Sequence, residues 1–242
     1  MKRICLVGAL WIGLLLQIHA QKFKDPKIPI DERINDLISR MTLEEKVNQL
    51  IACRELDSTT FDAQGNYLGN KDTALLRHSI GFFSIDKFIL SVEKQALFAN
   101  GLQKYVLENS RLPIPCLSLS EGLHGYMARG ATSFPQAIAL ASTWDTTLLE
   151  KVFGVAALEA RARGSQEFLS PVIDLGREPR WGRFDETYGE DPYLVSRIGL
   201  AAVLGFQGRQ KTIDEKHVAV TLKHFAGHGQ PEAADGQRPG AR

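Results

Sequence analysis

The sequence has almost no surplus of charge. Its 29 lysines and arginines face 28 aspartates and glutamates, a formal net charge of +1. Nothing in that balance draws nucleic acid or a membrane surface. Cysteine is scarce too, with three in 242 residues. Cys5 lies in the N-terminal segment. Cys53 and Cys116 stand at no metal-binding spacing and are expected to be unpaired or structural. The apolar run Ile4–Leu16 is too short to span a bilayer comfortably. No glycine-rich turn ends in Lys-Ser or Lys-Thr, no dinucleotide fingerprint follows a strand, and no His-Glu-x-x-His occurs. Those absences exclude the common nucleotide folds and the zinc proteases.

What is present is an ordinary globular composition, 44% apolar and 24% charged. Met1-Lys2-Arg3, then Ile4–Leu16, then Ile18-His19-Ala20 have the shape of a secretory leader over residues 1–20. Export to the periplasm or the medium is expected, with no membrane attachment after cleavage.

Beyond Pro29 the period changes repeatedly. Ile34, Leu37, Ile38 and Met41 recur at helical spacing, and Leu43, Val47, Leu50 and Ile51 predict a second helix. Thr42-Leu43-Glu44-Glu45 between them is a capping-box pattern. Residues 57–70 read as a surface loop. Strands are predicted at 80–85, 114–119, 168–175 and 217–222. Helices are predicted at 92–107 and 148–163, the latter with Glu159 and Arg163 as an i,i+4 pair and Gly164 as its stop. A further helix starts at Pro192, capped by Asp191, with Leu194, Ile198, Ala202 and Phe206 on one face. Strands alternating with helices predict an α/β fold with parallel strands, either a (β/α) barrel or an open doubly wound sheet. In both, function lies beyond the C-terminal strand ends.

Three such ends are polar. They read Ser120-Glu121-Gly122-Leu123-His124-Gly125, then Gly176 to Pro192, then Lys223-His224-Phe225-Ala226-Gly227-His228-Gly229. His224 and His228 stand four apart, but Gly227 and Gly229 argue against a helix, so no metal site is expected. A carboxylate, an arginine, a lysine and a histidine with a nearby tryptophan suit a ligand rich in hydroxyls, such as a sugar. Arg177 and Arg180 have a plainer reading as partners of Glu178, Asp185 or Glu186 that brace the loop.

Taken together, Thr42–Val47, Glu121–Gly125, Thr132–Gln136, Pro179–Arg183, Tyr188–Pro192 and Lys223–Gly227 resemble glycoside hydrolase family 3, in the family's order, from residue 30 to about 232. The resemblance implies an incomplete (β/α)8 TIM-type barrel, roughly the first half of the barrel domain. It implies an exo-acting β-glycosidase on β-glucosides or β-xylosides, with retention of configuration and no required organic cofactor. The implied partner is an oligosaccharide or aryl glycoside. By resemblance, Glu121, Arg183, Lys223 and His224 line the subsite for the terminal non-reducing sugar, while His124 and Trp181 support the loops. Many members have Asp at the position of Glu121, and the longer side chain leans towards a pentose. A retaining glycosidase needs a nucleophile and an acid/base. Neither Asp86 nor Asp214 matches the family's nucleophile, so both groups are expected outside this chain. Residues 21–232 are expected to be barrel sequence. Residues 233–242 read as a tail foreign to the family pattern, as a truncation or frameshift would leave, and the chain alone is expected to be inactive. Two alternatives stand: the β-N-acetylglucosaminidase branch of the family, and a non-catalytic sugar-binding fragment.

Overall fold

A computed structural model describes residues 21–56, 58–69, 81–85 and 90–229. The expected leader and the expected tail lie outside the described residues, as do Asp86 and the side chain of Cys53. The chain divides into two compact units, residues 1–48 and 49–242.

In the first unit, helix α1 (Ile30–Arg40) is followed by α2 (Leu43–Asn48). The capping box forms as read. The Thr42 amide donates to Glu45 Oε2 at 2.9 Å, and the Glu45 amide donates to Thr42 Oγ1 at 3.2 Å. Two amides that the helix itself cannot satisfy are thereby paired.

The described residues of the second unit form five parallel strands: β1 (Ala52–Leu56), β2 (Phe82–Ile85), β3 (Leu117–Ser120), β4 (Glu167–Phe168) and β5 (Ala219–Val220). Their spatial order is their order in sequence. A doubly wound sheet reverses its order at a switch point, and these strands show no reversal. The sequential order is that of a (β/α) barrel, here as a partial one. Registers are Ala52 with Phe82, Phe82 with Leu117, Leu119 with Glu167, and Phe168 with Val220.

Strand β1 is a correction, since residues 50 and 51 were read as helix and the next strand was expected near residue 80. Helix α2 stops at Asn48. The run Ala52-Cys53-Arg54-Glu55 has no alternation to signal a strand, and its partner lies thirty residues on (Ala52 pairs with Phe82). The loop that follows is also not wholly superficial. Phe61 and Tyr67 are buried, and Phe61 stacks on Phe98 with ring centroids 4.4 Å apart.

Among the described residues the unit also carries helices α3 (Val92–Asn109), α4 (Ala137–Ala141), α5 (Thr146–Ala162) and α6 (Pro192–Gln207). Helix α4 was not anticipated. Asp191 caps α6, its carboxylate accepting from the Leu194 amide at 2.7 Å. Replacing Asp191 with Ala should cost about 1 kcal/mol of stability, to be read from the urea midpoint, and a cost near zero would mean the cap is idle. Ile198, Ala202 and Phe206 of α6 are fully buried, as are Leu149, Phe153, Ala156 and Ala160 of α5 and Phe168 of β4. Phe206 meets Phe153 at 4.7 Å and Phe168 at 5.1 Å. Helix α5 ends at Gly164, whose φ of +88° suits a residue without a Cβ.

Glu159 and Arg163 do not pair with each other. Glu159 accepts from the amide and the hydroxyl of Thr132, at 2.9 and 2.7 Å. Arg163 donates to the carbonyls of Arg129 and Gly130 and lies over the Tyr126 ring. A loop that needs donors and acceptors competes better for these groups than an exposed helical pair, worth only a few tenths of a kcal/mol. Among the described residues no helix is long and apolar enough to cross a membrane.

Candidate functional site

The C-terminal ends of β3, β4 and β5 carry one connected polar cluster. At the end of β3, Gly122 passes so close to the buried Phe168 ring that a Cβ would stand 2.4 Å from it. Its amide donates to Ser170 Oγ at 3.1 Å, and Ser170 in turn donates to Glu121 Oε2 at 3.3 Å. Glu121 is thus pointed by a hydroxyl from the neighbouring strand end. Both its oxygens accept from Lys223 Nζ at 3.1 Å.

Lys223 is placed by an extension of the sheet. Val172 and Lys223 form a parallel bridge, the Ile173 amide donating to the Lys223 carbonyl at 2.9 Å. That register sets the next residue, His224, against Asp174. Its Nδ1 lies 2.7 Å from Asp174 Oδ2, and its amide lies 3.3 Å from both oxygens. The Asp174 side chain is almost entirely buried. His224 is about one-third exposed at 32%, so the pair has one dry side and one wet side.

The long loop after β4 brings the arginine. Glu178 holds Arg180 by a fork and caps the short turn Pro179–Trp181. Gly182, at φ +92°, reverses the chain. Arg183 then donates Nε to Glu186 Oε1 at 2.8 Å and Nη2 to Glu186 Oε2 at 2.6 Å. Its Nη1 stands 3.2 Å from His228 Nε2, and its Cζ lies 5.9 Å from the Trp181 ring centre. The His228 ring packs edge to face on both Trp181, at 4.9 Å, and His224, at 4.4 Å. A cavity of about 330 Å³ opens among Asp174, Leu222, Lys223, His224 and Phe225.

The electrostatics follow from these pairings. Burial pushes the Glu186 carboxyl up. The Arg183 fork, then the charges of Arg183, Lys223 and His224, outweigh burial and hold it below the usual carboxylate value. Arg183 is held above its usual value, first by that fork and then, against burial, by the carboxylates of Glu186, Asp174 and Glu121. A sugar hydroxyl both donates and accepts. A carboxylate beside an ammonium or guanidinium offers the acceptor and the donor it needs at adjacent points.

The four residues expected to line a subsite are therefore brought together. Glu121 and Lys223 are in direct contact, His224 adjoins Lys223, and Arg183 reaches His224 through the His228 ring. His124 closes its own loop, its Nδ1 lying 2.9 Å from the Phe134 carbonyl while the Phe134 amide donates back to its carbonyl at 2.8 Å. Arg177 joins no part of this network. Asp174 and Ser170 went unnoticed in the sequence, although Asp174 is the sole acid in the run 168–175. Among the described residues no group of three or more His, Cys, Asp or Glu is placed to hold a metal ion.

Known proteins share this arrangement of chain. A β-glucosidase from Erythrobacter marinus superposes with a TM-score of 0.75 at 35% identity, covering 87% of this chain and 28% of that one. A β-glucosidase from Listeria innocua, solved in complex with glucose, gives 0.67 at 33% identity, covering 84% and 28%. A putative β-xylosidase from Formosa agariphila is 34% identical over 214 residues, 88% of this chain and 28% of that protein. The chain thus spans little more than a quarter of the length of these relatives. Residues 42–240 match the sequence profile of the glycosyl hydrolase family 3 N terminal domain. With sequential parallel strands, polar ends at β3 to β5 and that match over most of its length, the chain belongs to glycosyl hydrolase family 3.

Proposed function

We propose that this chain supplies the sugar-holding part of an exported, exo-acting β-glycosidase that hydrolyses β-glucosides or β-xylosides from the non-reducing end. The carrying observation is the convergence of Glu121, Arg183, Lys223 and His224 from three strand ends into one cluster. The terminal sugar would lie across Lys223 and Glu121, with Arg183 and His224 fixing its remaining hydroxyls.

The clustered carboxylates are each committed to a basic side chain: Glu121 to Lys223, Asp174 to His224, Glu186 to Arg183. Such groups hold a ligand rather than attack it. A retaining mechanism needs two carboxyl groups about 5–5.5 Å apart across the scissile bond. In this reading both are contributed from outside these residues, and the chain's own work is to bind and orient the sugar. Glu121, one methylene longer than the aspartate common in the family, favours the smaller pentose ring. Export is carried by the leader pattern of residues 1–20.

Two measurements test this on the chain itself. Titration with methyl β-D-xyloside or methyl β-D-glucoside should be saturable and should shift the NMR signals of His224 and Lys223. Incubation with the 4-nitrophenyl β-glycosides should release no nitrophenol. Turnover by this chain would overturn the division of labour. Shifts confined to residues away from the cluster would overturn the site.

A further inference from the structure

His228 has no place in the sugar-holding role just proposed, yet it makes a contact that constrains its chemistry. Arg183 Nη1 and His228 Nε2 stand 3.2 Å apart. A guanidinium nitrogen can only donate. The contact is a hydrogen bond only while Nε2 carries no proton, which makes the ring neutral with its hydrogen on Nδ1. The surroundings favour that form. Burial lowers the basicity of His228 most, and electrostatic repulsion from His224 and Arg183 adds to it. Asp174 and Glu186 oppose them, and the net direction is below the ordinary histidine value. The backbone also fixes the ring's place. A Cβ on Gly229 would stand 2.3 Å from the Leu175 carbonyl, so only glycine lets the 224–229 turn lie against the segment that follows β4.

Arg183 is therefore cradled on three sides: the Glu186 carboxylate grips one edge, Trp181 lies beneath, and His228 receives Nη1. We infer that His228 is a positioning residue, a neutral imidazole that completes the cradle aiming Arg183 at the ligand, and that its protonation releases the arginine and weakens the site in acid. Among the described residues, the charged and titratable groups facing it are His224, Asp174, Arg183 and Glu186. Glu186, held below the usual carboxylate value, stays ionised through the window in which a histidine titrates. The acid limb would thus belong to an imidazole and not to the carboxylate.

The inference rests on the proposed sugar site for its ligand but not for its geometry, and the experiment separates the two. The Arg183 side-chain N–H signals, the His228 ring signals and the affinity for methyl β-D-xyloside are followed in the chain from about pH 7.5 to about pH 5. In the wild type, the Arg183 signals should lose protection as His228 titrates, and affinity should fall about tenfold, the scale of one charge-assisted hydrogen bond. In H228Q, whose amide oxygen accepts without titrating, both should stay flat near the neutral wild-type level. H228F, which cannot accept, should bind weakly at every pH. Arg183 signals unchanged while His228 titrates would overturn the inference in the wild type alone, whether or not a variant folds. An acid limb undiminished in H228Q would overturn it too. If no glycoside binds at any pH, the sugar reading fails, and the Arg183 signals still decide the role of His228.

Discussion

Replacing Arg183 with alanine is expected to lower affinity for a β-glycoside by about 10- to 150-fold, the value of one hydrogen bond from a charged donor. Folding should suffer far less. The Arg183 and Glu186 side chains are 27% and 20% exposed, so the pair is partly screened, and its loss should cost on the order of 1 kcal/mol. Lysine separates shape from charge. R183K keeps the positive charge but cannot fork onto both oxygens of Glu186, so most of the binding loss should persist. Calorimetric titration and urea unfolding of the same preparations give both quantities. Undiminished affinity in both variants would remove Arg183 from the site. A collapse in stability with little change in binding would make it a structural residue.

The second large effect concerns two glycines that face each other where α5 crosses α6. A methyl group on Gly205 would stand 2.4 Å from the Glu150 carbonyl oxygen, 2.8 Å from Phe153 Cβ and 3.1 Å from the Gly154 amide nitrogen. Two of those atoms are backbone and cannot rotate away. G205A should therefore pry the helices apart and cost about 1–3 kcal/mol, the usual penalty of overpacking. A methyl group on Gly154 would meet nothing closer than the Gly205 carbonyl at 3.7 Å, which is ordinary contact. G154A should stabilise the chain by up to about 1 kcal/mol, the helix propensity gained on leaving glycine. One crossing thus predicts opposite signs for the same substitution at neighbouring points. Equal shifts in the two urea midpoints would show that the helices do not meet as described.

The features legible in the sequence were those whose cause is local or whose residues stand out from their surroundings. Asp191-Pro192 announced a helix start, Thr42 and Glu45 a capping box, and Gly164 a stop, each within a few residues. Glu121, Arg183, Lys223 and His224 were visible as polar residues where apolar runs end. Partnerships across the sheet were not visible. Asp174 and His224 are 50 residues apart, and Arg183 and His228 are 45 apart. The bridge between Val172 and Lys223 makes the first pair neighbours, and the loop after β4 brings Arg183 to the second. Strand β1 was missed for a related reason, since it is a strand by virtue of its pairing with Phe82 and Phe83 and not by its own pattern. Helical spacing pairs Glu159 with Arg163, while in the fold the loop at 129–132 takes both.

Glu121 and Lys223 are 102 residues apart in the chain. A ribosome adding roughly 5–20 residues per second would deliver the lysine roughly 5–20 s after the glutamate. Throughout that interval the Glu121 carboxylate lacks its Lys223 partner, and the proposed sugar-holding cluster is incomplete. On the proposed reading, no sugar can be held before Lys223 emerges, so a sugar met earlier cannot act as a folding template for the chain that precedes it.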